Sequence, residues 1–252
     1  MATDRAELQY ILEGRGDRIR TRKWSRTHQC VSSLLRKLKE VIDSPFVHGD
    51  SILDYGCGNR PYESLFSEKY KNYVAADIAG NPTANLVIGA NGQIPTGDEA
   101  FDCVFSSQVL EHVVDPQVYL REAHRVLKQE GTLIVSTHGI WPYHPDPTDF
   151  WRWTIDGLQR EIRRAGFEIL MVRSVFGLES TALQLWQDAT FERLPRFMRP
   201  LYTWFFQTAI GLIESRHPDK TSDNASVYVV LARRQVLSSG EPEPVLGKNF
   251  GI

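Results

Sequence analysis

Between Ser51 and Asn59 the chain reads Ser-Ile-Leu-Asp-Tyr-Gly-Cys-Gly-Asn. Ile52 and Leu53 read as the end of a buried parallel strand. Gly56 and Gly58 permit a turn that most side chains would block, and a helix starting just beyond them offers free N–H groups. Together they describe a nucleotide-type ligand loop at the carboxyl end of a first strand. A tight strand-to-helix turn that binds nothing is the other reading of a bare Gly-x-Gly, so the surroundings decide. The third glycine of a dinucleotide fingerprint is replaced by Pro61. A second apolar run, Tyr73 to Ala76, ends in Asp77, about 20 residues past the glycines, where open α/β sheets use an acid to grip ribose hydroxyls. Farther on, Glu111 and His112 follow a fourth apolar run, Phe101 to Ser106. The stretch Thr137 to Thr154 then follows a fifth strand. Its His144, Asp149 and Arg152 are polar heads among prolines and three tryptophans, Trp141, Trp151 and Trp153. Loops at such strand ends commonly carry function, and this mix suits a carbohydrate or another polar ring. Trp151 and Trp153 could equally anchor the helix that follows.

Ile52 to Gly58 resembles the first motif of class I S-adenosylmethionine-dependent methyltransferases, and Asp77 matches that family's ribose-binding acid. Three more stretches extend the resemblance to its type 11 branch: Gly89 to Pro95 followed by Phe101-Asp102, Ser106 to Val113, and Glu122 to Lys128 with Gly131-Thr132-Leu133. Residues 50 to 175 are covered. The resemblance implies S-adenosyl-L-methionine as cofactor, held by Asp54, Gly56, Gly58, Asp77, Ile78, Asn91, Ser107 and Gln108. An acid that usually reads the adenine amino group is missing, because Ala90 stands in its place. Asn91 could supply that contact, or adenine could be held by backbone alone. On the acceptor side, His112 after the fourth strand and His144, Asp149 and Arg152 after the fifth are the catalytic candidates. For His112 three roles stay open: a structural residue, a general base with an ordinary pKa of about 6.5, or a metal ligand. The run Gln108 to His112 is similar to a Glu-x-x-Glu-His motif of metal-assisted O-methyltransferases. Gln108 replaces the first acid, removing one charged ligand, and no metal is expected. Pro147 to Thr154 resembles methyltransferases among bacterial surface-polysaccharide enzymes. That implies O-methylation of a small polar or glycan acceptor. N-methylation of a small amine, RNA 2′-O-methylation, and a non-catalytic protein that binds a partner through residues 178–214 are the alternatives.

These residues need a scaffold, and 252 residues suffice for one large domain with an insertion. A net charge of −2 gives no basic field, which disfavours nucleic acid, although the run Arg15 to Lys23 keeps RNA open. Cys30, Cys57 and Cys103 lack metal-ligand spacing and read as free thiols of a reducing compartment. The charged first residues lack an apolar segment, which predicts a cytoplasmic protein. Strands alternating with helices predict a doubly wound α/β fold with a seven-stranded, mostly parallel sheet. The expected division is 1–49 as a helical cap, 50–177 as the cofactor core, 178–224 as a helical insertion, 225–234 as the last strand and 235–252 as a flexible tail. The cap is expected to hold a short helix over Ala6 to Leu12 and a longer one through Val31, Leu34, Leu38 and Ile42. In the insertion, Leu201 to Ile213 is apolar but shorter than the ~20 residues that span a bilayer. Arg193, Arg196 and Arg199 precede it. Residues 193–213 therefore read as a cap, a homodimer interface, or a peripheral contact with the inner face of a membrane.

Overall fold

The structure, a computed structural model, describes residues 18–19, 21–216 and 221–235. The Ala6 to Leu12 helix, Arg15 and Arg20 of the basic run, and the tail beyond residue 235 lie outside them. The strands are β1 (Ser51–Tyr55), β2 (Asn72–Asp77), β3 (Leu86–Val87), β4 (Phe101–Ser107), β5 (Leu127–His138), β6 (Phe167–Val175) and β7 (Val227–Arg234). They form one sheet in the order β3-β2-β1-β4-β5-β7-β6, parallel except for β7, which runs antiparallel between β5 and β6. The chain leaves β1 toward β2 and β3, then returns to build β4 and β5 on the other side. β1 and β4 thus flank a topological switch point, the place where open α/β sheets leave a crevice at their carboxyl ends.

Alternation along each strand fills both faces. Leu53, Val104, Leu133, Val135 and Val230 point to one side, where α3 (Pro116–Val126) and α4 (Ile155–Arg164) bury Leu120, Ala123, Leu158 and Ile162. Ile52, Cys103, Phe105, Ile134 and Val229 point to the other, under α1 (His28–Ile42) and the short α2 (Glu63–Phe66). Helix starts follow their caps. Asp115 accepts from the Gln117 and Val118 amides with Pro116 at the first turn, and Thr154 accepts from Gly157 N. Gly166, at φ +93°, ends the turn after α4.

The insertion is a helical pair, α5 (Leu178–Phe191) and α6 (Arg199–Arg216). Its polarity is reversed relative to a core-facing amphipathic helix. The buried side chains are mostly polar: Ser180, Thr181, Gln184 and Gln187 on α5, Thr203 and Gln207 beside Phe206 and Ile210 on α6. The amides of Gln184, Gln187 and Gln207 all donate to the Arg26 carbonyl, at 3.1, 3.2 and 2.6 Å. Among the described residues no helix is long and apolar enough to cross a membrane.

Candidate active site

A cleft of about 630 Å³ opens at the carboxyl ends of β1, β2 and β4. Gly56 and Gly58 form its floor at φ +83° and +53°. A Cβ on Gly56 would lie 2.5 Å from Val109 Cγ2, so the loop after β1 and the loop after β4 meet where no side chain fits. The Asp77 carboxylate is held open to the cleft by backbone: Oδ2 accepts from Gly58 N at 2.7 Å, Oδ1 from Ile78 N at 2.8 Å. Asn81 Nδ2 also donates to Oδ2, at 2.6 Å. Asp54 lines the same floor, buried, with the Tyr73 hydroxyl donating to it; burial pushes its carboxyl up to about 7. Ile78, Ile88, Val113 and Val118 give the cleft an apolar wall.

Every residue expected on the cofactor side lines this cleft. Asn91 does so with its amide engaged locally: Oδ1 accepts from Gln93 N and Nδ2 donates to Gln93 Oε1. Gln108 leaves β4 in a left-handed conformation, φ +59°, fixed by its N–H on the Ser136 carbonyl and its Nε2 on Ser136 Oγ. Ser107 Oγ shares that hydroxyl at 2.8 Å. The stretch Glu122 to Lys128 acts at a distance. Glu122 accepts from Ile94 N, and Arg125 bonds Glu122, Asp98 and the Ile94 and Thr96 carbonyls, pinning the loop that carries Asn91.

The acceptor-side candidates divide. His112 ends the turn Leu110–His112 and lines the cleft. Its Nδ1 faces the Thr148 carbonyl, which only accepts, so Nδ1 carries the proton and Nε2 the lone pair. Burial lowers its pKa, keeping the ring neutral. His144, Asp149 and Arg152 do not line the cleft. Asp149 accepts from Arg152 Nη1 and Nη2 at 2.6 and 2.5 Å and from His144 N at 2.8 Å. Arg152 also donates to the Trp141, Pro142 and Trp151 carbonyls. The pair ties the loop to itself because its carbonyls, too far from any strand to join a ladder, need donors. Asp146 and Pro147 are the loop residues that reach the cleft.

Arg18, from the basic run that kept RNA open, lines the cleft. Glu111 is fully buried, at 0% exposure, with Thr137 Oγ1 donating to Oε2 at 2.8 Å; burial pushes its carboxyl up to about 7. Its backbone carbonyl accepts from Phe150 N and Trp151 N, so this turn also anchors the acceptor-side loop. The signal for Glu111 was its place after β4. His138, the last residue of β5, had no sequence signal of its own.

The family profile described as a methyltransferase domain matches residues 53–135. The ubiquinone biosynthesis O-methyltransferase of Dinoroseobacter shibae is 30% identical over 172 residues, covering 56% of this chain and 68% of that protein. A probable S-adenosylmethionine-dependent methyltransferase of Mycobacterium tuberculosis is 30% identical over 131 residues, covering 48% of this chain and 45% of that one. The chain spans about half the length of most curated relatives it matches. Among solved structures, a chain of the complex between the Haloferax volcanii Trm112 methyltransferase activator and a methyltransferase superposes with a TM-score of 0.59. It is 17% identical and covers 94% of this chain and 100% of that one, a likeness of fold alone.

Proposed function

The chain belongs to the class I S-adenosylmethionine-dependent methyltransferases, and from that premise we propose that it methylates a hydroxyl oxygen of a small polar or glycan acceptor. The observation that carries this reading is that one cleft runs from the glycine loop to His112. S-adenosyl-L-methionine is the cofactor of the family. The residues present fit it. Gly56 and Gly58 hold the loop after β1 in a left-handed turn on the cleft floor, Asp77 offers a charged acceptor to ribose hydroxyls, and Ile78, Ile88 and Val118 offer an apolar wall to a flat base. Asp54 offers a carboxylate to the ligand's positive charge.

When bound, the cofactor supplies a methyl made electrophilic by its sulfonium. The protein's part is to hold an acceptor oxygen in line with that methyl and to keep water out, for which good positioning reaches effective molarities of about 10⁵–10⁸ M. A hydroxyl must shed its proton as the new bond forms. His112 Nε2 is the acceptor for it, with the tautomer set by the Thr148 carbonyl and the ring kept neutral by burial. Oxygen is favoured over nitrogen as the acceptor atom by the name of the Dinoroseobacter shibae relative, an O-methyltransferase. Support for a glycan comes from Tyr143 and Trp151, which expose flat apolar surface on the loop whose Asp146 and Pro147 border the cleft.

The test is methyl transfer from labelled cofactor to a panel of polyols, glycosides and primary amines, with wild type and His112→Ala. The expected result is labelled hydroxyl product, a fall of roughly 10²–10⁴ in turnover for the variant that eases at high pH, and unchanged cofactor affinity. Labelled amine with no labelled hydroxyl would overturn the choice of oxygen.

A further inference from the structure

Glu111, His138 and His144 each bring one ligand-type atom to a common point, all within 4.8 Å of one another. They meet there because β4 and β5 are parallel neighbours: Glu111 sits just past the end of β4, His138 at the end of β5, and His144 in the loop that folds back over both. Two observations mark the point as built for a ligand. Among the described residues Glu111 Oε1 is buried without any hydrogen-bond partner, and it stands 3.4 Å from His138 Nε2. A tetrahedral cation with bonds of about 2.0–2.1 Å holds its donors roughly 3.3 Å apart, so this pair already has the required separation. Burying a carboxylate is costly, and a cation at the site offsets that cost.

We propose that Glu111, His138 and His144 form a binding site for a divalent transition cation. Two imidazoles and one carboxylate select zinc, iron or manganese over magnesium or calcium, which favour all-oxygen sets. The pattern is not the Glu111-His112 pairing weighed from sequence: His112 Nδ1 is spent on Thr148, and its ring, which lines the cleft, lies 5.0 Å from that of His144. Zn²⁺ titrated into tag-free, chelator-stripped full-length protein, read by calorimetry, is expected to bind once per chain. Glu111→Gln and His138→Gln are expected to weaken it by at least 10- to 100-fold, the range known for the weaker perturbation of outer-shell partners. His144→Asn, on the half-buried residue, serves as the variant safest for folding, and cofactor calorimetry on each variant reports an intact core. Absence of Zn²⁺ binding, equal affinity in the His144 variant, or full competition by Mg²⁺ would overturn the site. None of these outcomes touches the methyl-transfer reading, which is read from cofactor binding and labelled product.

A different observation carries a second proposal. The α5–α6 pair turns its glutamines inward and its large apolar side chains outward: Trp186 at 63% exposure, Phe197 at 83%, Leu201 at 69%, with Trp204, Phe205 and Leu212. The linker between the helices adds Arg193 and Arg196, both exposed. We infer that this face docks on an anionic lipid surface, the aromatic and aliphatic side chains entering the headgroup boundary and the two arginines meeting lipid phosphates. Flotation of the full chain with phosphatidylglycerol-containing vesicles is expected to carry protein, and pure phosphatidylcholine to carry far less. Arg193→Ala with Arg196→Ala is expected to weaken binding roughly 30-fold. No flotation, or a solution dimer dispersed by Trp204→Ser with Phe205→Ser, would overturn it.

Discussion

The Gly58 amide donates to Asp77 Oδ2 at 2.7 Å, so the acid at the end of β2 fixes the glycine turn after β1, while Oδ1, which accepts from Ile78 N, keeps a second lone pair for a ligand. Asp77→Ala removes both functions. Cofactor affinity is expected to fall roughly 10- to 150-fold, the range for hydrogen bonds to a charged group. Calorimetric titration checks it, and an unchanged dissociation constant would end the ribose assignment.

Asp54 makes cofactor binding pH-dependent. Its carboxyl, raised by burial to about 7 in the free protein, is neutral below that pH and ionised above it. A positively charged ligand favours the ionised form, so affinity should rise with pH up to the vicinity of 7 and then level off. Below it, affinity should fall by up to about tenfold per pH unit. Asp54→Asn is expected to flatten the profile, measured by titration between pH 5.5 and 8.5 at the order of one-unit steps.

Gly56→Ala combines two penalties, a left-handed backbone at φ +83° and a Cβ 2.5 Å from Val109 Cγ2. The backbone share is about 1–2 kcal/mol. Adding Val109→Ala is expected to recover the steric share and leave the backbone share. Thermal unfolding of the single and double variants separates them.

Much of this could be read before the fold was known, because it rests on local patterning. Ile52 and Leu53 read as a buried strand and pack into the core on either side of the sheet, and Gly56, Gly58 and Asp77 sit at the cleft their spacing implied. What stayed hidden depends on contacts between distant segments. β5 begins at Leu127 and continues directly from α3, with no glycine or proline to mark the change. Arg152 looks like a substrate-facing cation in sequence, and only the loop's closure reveals three carbonyls waiting for it. Leu201 to Ile213 reads as a long apolar run, yet Gln207 and Thr203 take the inner face, where Gln207 donates to the Arg26 carbonyl.

The Asp149–Arg152 clamp predicts acid sensitivity. Burial alone would raise the Asp149 carboxyl, but the Arg152 guanidinium and the His144 N–H hold it well below the usual carboxylate range. A depressed folded-state pKa adds stability above the unfolded value of about 3.9 and loses it as pH falls below that. Arg152→Ala, which strands a buried carboxylate, is expected to cost about 3 kcal/mol at pH 7. The difference from wild type should shrink as the pH is lowered below about 4. Urea unfolding across that range checks both the size and the sign.

Among the described residues β6 touches the sheet only through β7, and β7 comes after the whole α5–α6 insertion in the chain. On the ribosome, the first five strands can assemble while β6 waits without a partner and the outer edge of β5 stays bare, a template for wrong pairing. A helical hairpin spans this gap compactly and so narrows the search of β7 for its partners. α5 and α6 bond to each other through Gln187 and Gln207, which turns a long flexible stretch into a compact bridge. Synthesis of Val227 to Arg234 then finds its two partners already close, with little loop entropy left to lose. The insertion thus governs when the nascent sheet can close.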